Sequence, residues 1–313
     1  MKLYQWRGSV ANFGDELNGV LWPRLLPGAF DGDPATLFLG IGSILDGRHP
    51  AAAGKLVAGA GYGGYETPAV LDPRWDVRWV RGPRTARLLG LSPALGLGDP
   101  AALLPLAGVT GTTHGGAVGF MPHFESVGRG AWNLVAAACG VTLIDPRGDP
   151  LAVLGAVAAC RLLISEALHG VIAADAMRVP WIAIEPLAAV HRPKWHDWAD
   201  TVGVSVAFRR LPASSLAERL HASPLATRHL GRAWVRRHEA ALHGVGLAGF
   251  IDRAASALGR AAAAAPQLST EADLQRCQDR MLQAVAVLRR QLCSQPAPCA
   301  GIGNPLRTAC LAG

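Results

Sequence analysis

The stretch LLISEALHGVIAADAMRVPWIAIE, residues 162–185, decides the fold. A short apolar run over residues 161–164 turns at Ser165-Glu166, a helix-spaced segment covers 168–177, and a second apolar run fills 181–184. Both runs are too short for helices and are bounded by turn residues, the pattern of strands buried on both faces. Strand, helix and strand within so few residues make a βαβ unit, which builds a parallel sheet.

The same alternation extends outward. Upstream lie a strand over 117–121, a helix over 131–139, a strand over 141–144 and a helix over 150–159. Nearer the N-terminus, apolar runs end in glycine: 37–39 before Gly40, 56–58 before Gly59, 77–80 before Arg81-Gly82 and 95–97 before Gly98, with a helix over 83–89. The Gly/Thr-rich residues 108–116 read as a linker. The chain of 313 residues exceeds the roughly 250–300 at which one core stops growing. The expected fold is therefore α/β, two Rossmann-like doubly wound domains over 1–110 and 111–260. Helix continues from about 216 to 258. Residues 261–313 read as a poorly ordered tail, helical in part, because Leu274, Met281, Val285 and Leu288 keep helical spacing.

Composition limits the function. Hydrophobic residues make up 50% and charged residues 17%, enough for a packed core and against wholesale disorder. The net charge of +7 biases the chain mildly toward anionic partners. No Lys/Arg run is dense enough for nucleic acid, and residues 232–238 read as one helix face. No apolar run reaches signal-peptide or membrane-spanning length, so a soluble cytoplasmic protein is expected, resting at most on a membrane surface. The six cysteines match no zinc spacing and read as reduced thiols; no metal and no cofactor is expected.

In parallel α/β sheets, ligands bind beyond the carboxyl ends of the strands, and the polar clusters fall there. Asn12 and Asp15, in NFGDELN (12–18), either cap a helix or face a polar ligand. Gly42 and Gly61 sit in loops that either turn tightly or let backbone N–H groups approach a ligand; the G-x-G-x-x-G spacing is absent. Arg81, Arg84 and Arg87 make an anion site or a surface helix face. Ser165, Glu166 and His169 occupy a strand-to-helix junction that suits proton transfer. His191, Arg192, Lys194 and His196 surround Trp195 and Trp198 in what reads as a loop, cations for an anion and indoles for a sugar ring.

Seven stretches together carry a family likeness: NFGDELN (12–18), LFLGIGSIL (37–45), VRGPRTA (80–86), GLGDPAALLP (96–105), MPHFES (121–126), 162–185 and HRPKWHDW (191–198). In this order, over about residues 1–220, the chain resembles the polysaccharide pyruvyl transferases. The likeness is greatest to the ketal-pyruvyl transferases of bacterial exopolysaccharides such as succinoglycan. The resemblance implies a GT-B-like fold, phosphoenolpyruvate as donor, a lipid-linked oligosaccharide as acceptor, and a cyclic pyruvate ketal plus phosphate as products. An Arg-Leu-His triplet of some relatives becomes Ala167-Leu168-His169 here, so Arg81, Arg192 or Lys194 must replace the arginine. On this footing His169 is the general acid and Glu166 or His123 the base. Arg81, Arg192 and Lys194 clamp the donor, and Trp195 or Trp198 stacks on a substrate. Two rival readings remain: a GT-B nucleotide-sugar glycosyltransferase with Glu185 on the ribose, and a non-catalytic carbohydrate-binding subunit.

Overall fold

The computed structural model describes residues 1–8, 10–109, 115–185, 192–223 and 231–294. Part of the expected linker (110–114), His191 and residues 295–313 with Cys299 and Cys310 lie outside the described residues.

The first sheet is parallel and in chain order: β1 (Lys2–Leu3), β2 (Thr36–Leu39), β3 (Gly54–Ala58) and β4 (Trp75–Trp79). The second is also parallel: β5 (Val118–Met121), β6 (Thr142–Leu143), β7 (Leu162–Ser165), β8 (Trp181–Ile184) and β9 (Phe208–Arg209), in the order β6-β5-β7-β8-β9. The order reverses at β5, so the gap between the carboxyl ends of β5 and β7 is the switch point at which such sheets bind ligands.

Strand side chains alternate between buried clusters. Phe38 joins one and Leu37 and Leu39 another; Leu163 joins the first and Leu162 and Ile164 a third. Burial on both faces explains why these strands read as unbroken apolar runs. The largest cluster runs between the two sheets and takes in α1 (Phe13–Leu25), α5 (Pro150–Ala158) and α6 (Leu168–Ala176). Helix α6 is apolar nearly all round because it lies in the middle of this layer. The outer face of the second sheet is covered by α4 (Trp132–Cys139) and by α11 (Leu247–Ala262), through Ala254 and Leu258. Helices α2 (Pro83–Leu88), α3 (Phe124–Arg129), α7 (Arg192–Ala199), α8 (Leu216–Ala222), α9 (Arg232–Arg237) and α10 (Glu239–Gly244) complete the fold up to α11.

Three expectations change. Residues 95–97 form no strand. Pro93–Leu95 is a 3-10 turn whose Ala94 N–H is held by Ser92 Oγ, and a lone Val80–Gly96 bridge remains. The stretch 192–199 is helix α7, not a loop. Residues 271–294 are not a poorly ordered tail but α12 (Glu271–Ser294), with Leu274, Cys277, Met281, Val285 and Leu288 buried. It docks on the first half: Cys277 Sγ donates to Leu97 O, Gln278 Nε2 to Ala102 O, and Arg280 to Ala94 O. Cys139, Cys160 and Cys277 are free thiols, whereas Cys293 is disulfide-bonded and not the reduced thiol expected. Among the described residues no helix is long and apolar enough to cross a membrane, and no group of His, Cys, Asp or Glu is placed to hold a metal ion.

Candidate active site

A cavity of about 410 Å³ opens where the carboxyl ends of both sheets meet. Its walls come from the segment after β1 (Trp6, Asn12–Asp15), the turn after β2 (Ser43, Ile44, Arg48) and the loop after β3 (Tyr65, Glu66). The second sheet supplies His123–Glu125 after β5 and Ala167–His169 after β7, and α7 supplies Lys194. Nearly every wall thus lies at a strand's carboxyl end, and the β5/β7 pair flanks the switch point.

His169 is fixed on two sides. Its Nε2 is buried 3.4 Å from Oδ2 of Asp99, an ion-pair contact, and neither atom makes a hydrogen bond among the described residues. Asp99 is fully buried, and its other oxygen accepts the Ala101 N–H at 3.0 Å. At that distance the buried carboxylate would stabilise an imidazolium by its charge. The Nδ1 edge lies on Gly14: a Cβ there would come within 1.9 Å of Nδ1. Gly14 and Asp99 escaped the sequence reading, although both lie in stretches that carried the family likeness. The signal was positional, an acid closing an apolar run and a glycine opening a helix.

Asn12 Nδ2 donates to Asp15 Oδ2 at 2.6 Å. Burial raises the Asp15 pKa, while the charge of His169, the Asn12 hydrogen bond and the charge of Lys194 act to lower it. Both residues face the cavity. Asn12 makes no capping bond to α1, so the ligand-facing reading fits this pair better than the capping one. Gly42 stands behind them at φ +134°, where a Cβ would sit 3.1 Å from Asp15 Oδ1.

His123 lies in the cavity wall, its Nδ1 3.6 Å from Glu125. Glu166 does not: it is buried, and its carboxylate accepts the His123 backbone N–H at 2.9 Å, tying the β5 turn to the β7 turn. Ser165 is wholly buried, donating to Met121 O and accepting from Ala167 N–H. Both residues shape the junction without reaching the cavity.

Of the three cations expected to replace the family arginine, Lys194 alone faces the cavity. Its Nζ lies 3.4 Å from the Tyr65 hydroxyl. Burial, then the charge of Arg81, pushes its pKa down to about 8, against Asp15, Glu125 and Glu166. Arg48, a cation the sequence reading passed over, lines the same cavity from the turn after β2, paired with Asp46 at 2.6 Å.

The remaining assignments are corrected. Arg81 is fully buried and its donors are taken by Asp197 Oδ2, Ser43 Oγ and Tyr62 O. Gly61 exists to admit that guanidinium, since a Cβ would come 2.3 Å from Cζ. Arg84 pairs with Asp200 at 2.8 Å, and Arg192 with Glu185. His196 packs edge-on against Phe208. Trp195 and Trp198 are buried against Phe208 and Trp181, so neither can stack on a sugar. Amphipathic winding explains this: on a helix, positions three and four apart share a face, and that face went into the core. Asp197 caps no end of its own helix but accepts from Arg84 N, Thr85 N and Thr85 Oγ1, pinning α7 to the start of α2. The aromatic groups that do face the cavity are Trp6, Phe13, Tyr65 and Phe124, with Trp6 and Phe124 ring centres 6.3 Å apart.

A family model described as polysaccharide pyruvyl transferase matches residues 66–186, which include Asp99, His123 and His169. The chain is 42% identical over 221 residues to the succinoglycan biosynthesis protein ExoV of Rhizobium meliloti (strain 1021), covering 70% of each sequence. No solved structure matches it. With that identity over that length, the chain belongs to the polysaccharide pyruvyl transferase family.

Proposed function

We propose that this enzyme of exopolysaccharide biosynthesis moves pyruvate from phosphoenolpyruvate onto a sugar of a lipid-linked repeat unit. The pyruvate is joined as a ketal and phosphate is released. The reading rests on one observation: an imidazole beside a buried carboxylate shares a cavity with two cations, Arg48 and Lys194. Adding an alcohol to an enolpyruvyl group needs a proton at C3, tolerance of positive charge at C2, and a grip on carboxylate and phosphate. His169 is the general acid for C3, and Asp99 steadies the imidazolium. Arg48 and Lys194 hold the anionic ends. Of the two groups first considered as base, His123 lines the cavity and Glu166 does not. Trp6 and Phe124 offer faces to the sugar.

The glycosyltransferase alternative loses its ribose ligand, because Glu185 is held by Arg192 and Arg210 and does not face the cavity. The enzyme works at the cytoplasmic face of the membrane that carries its acceptor and needs no resident cofactor. Incubation with phosphoenolpyruvate and a lipid-linked oligosaccharide tests the reading. The product gains the mass of pyruvate less one water, with one phosphate released per ketal. An unchanged oligosaccharide mass, or sugar transfer from a nucleotide sugar instead, would refute it.

A further inference from the structure

Ketal formation has two hydroxyl protons to remove, and the residues so far assigned do not share that work evenly. Glu166 is behind the wall. His123 stands beside Glu125, which is 40% exposed, and Glu66 is exposed as well. Asp15 is different: it faces the cavity, is only 7% exposed, and belongs to the same helix start whose Gly14 carries the His169 ring. One of its oxygens, Oδ2, is held by Asn12, while no described residue donates to Oδ1, which lies beside Gly42. A buried carboxylate with one oxygen anchored and the other uncommitted is poised to accept a proton.

We propose that Asp15 is the catalytic base that takes the proton from the first acceptor hydroxyl to attack, an assignment that rests on the pyruvyl-transfer reading above. The hydroxyl oxygen bonds to C2 as its proton passes to Asp15 Oδ1. The C2=C3 electron pair takes the proton that His169 gives to C3. Phosphate then leaves C2 with the electrons of the C–O bond, the second hydroxyl closes the ring, and its proton departs with the phosphate. Asp15 returns its proton to His169, so one hydroxyl proton ends on the new methyl group and the other on phosphate. The groups that act on Asp15 are His169 from α6, Lys194 from α7, and Asn12 and Glu16 from its own segment. Burial lifts its basicity and the cations limit the rise.

Asp15→Asn and wild type are compared for phosphate release, product mass and phosphoenolpyruvate binding by thermal shift. The expected result is a turnover loss of about 10²–10⁴-fold with donor binding equal or tighter, because a negative charge beside an anionic donor is gone. Turnover near wild type, or a loss of donor binding in step with turnover, overturns the assignment. A second variant guards against misfolding. Asn12→Ala removes the hydrogen bond that lowers the Asp15 pKa, so the acidic limb of kcat/KM moves to higher pH; an unmoved limb overturns the base. A wild type that releases no phosphate defeats the pyruvyl-transfer reading as well, whereas a working wild type with an unimpaired Asp15→Asn defeats this assignment alone.

Discussion

Helix α7 and the turn after β7 both crowd titratable groups among apolar ones, yet they serve the molecule differently. In α7, two indoles and Asp197 go inward as packing and strut, Arg192 is held by Glu185, and one side chain, Lys194, reaches the cavity. After β7, the strand's end and the start of α6 leave His169 no room but the cavity wall, between Asp99 and Gly14. Richness in candidate groups did not single out the proposed reacting centre; position at the switch point of a parallel sheet did. The largest effect expected from this contrast is at His169. His169→Gln should lower pyruvyl transfer by at least about three orders of magnitude with unfolding temperature little changed, measured by phosphate release and calorimetry. A variant that turns over normally would break the contrast at its stronger end.

Much of this was legible in advance because burial on both faces leaves a direct mark on sequence. The expected strands 37–39, 56–58, 117–121, 161–164 and 181–184 and the expected helix 168–177 are all found, each end within two residues of its expected place. What misled was local polarity. Residues 191–198 look like a loop because five of the eight are charged or imidazole, yet a helix needs only one apolar stripe. Trp195, Trp198 and Ala199 supply it. Arg81 looked like an anion clamp because an arginine after a strand often is one; that Asp197, 116 residues later, would occupy it is a tertiary fact. Asp99 was hidden for the same reason, since its partner His169 lies on a different sheet's helix.

Within α7 itself the inward and outward faces can be told apart. Trp198→Ala should cost about 3–5 kcal/mol of folding stability, read from denaturant unfolding, while the folded fraction keeps its KM for both substrates. Lys194→Ala should do the reverse, leaving stability near wild type and raising the KM for phosphoenolpyruvate about tenfold, or about 1.4 kcal/mol. Arg192→Ala, from the first turn of the same helix, should leave that KM unchanged. If Arg192→Ala and Lys194→Ala weakened the donor equally, the division of α7 into strut and cavity wall would be wrong.

The finest test uses pH, because Lys194 is a cation whose charge is within reach of titration. Burial and the neighbouring Arg81 lower its pKa to about 8, so the ammonium is present below that pH and lost above it. Donor capture by the free enzyme, kcat/KM for phosphoenolpyruvate, should therefore be level near neutrality and fall as pH rises through about 8. The donor cannot cause that fall, since a phosphate ester completes its second ionisation near pH ~6. Nor can Tyr65, whose hydroxyl touches Nζ, because burial pushes its pKa up and keeps it neutral in this range. A bound trianion favours the charged lysine, so the limb in kcat should lie at higher pH than the limb in kcat/KM. Lys194→Arg keeps its charge throughout and should remove the alkaline limb while retaining measurable transfer. An alkaline limb that survives unchanged in Lys194→Arg would take the donor clamp away from α7 and leave Arg48 to hold it.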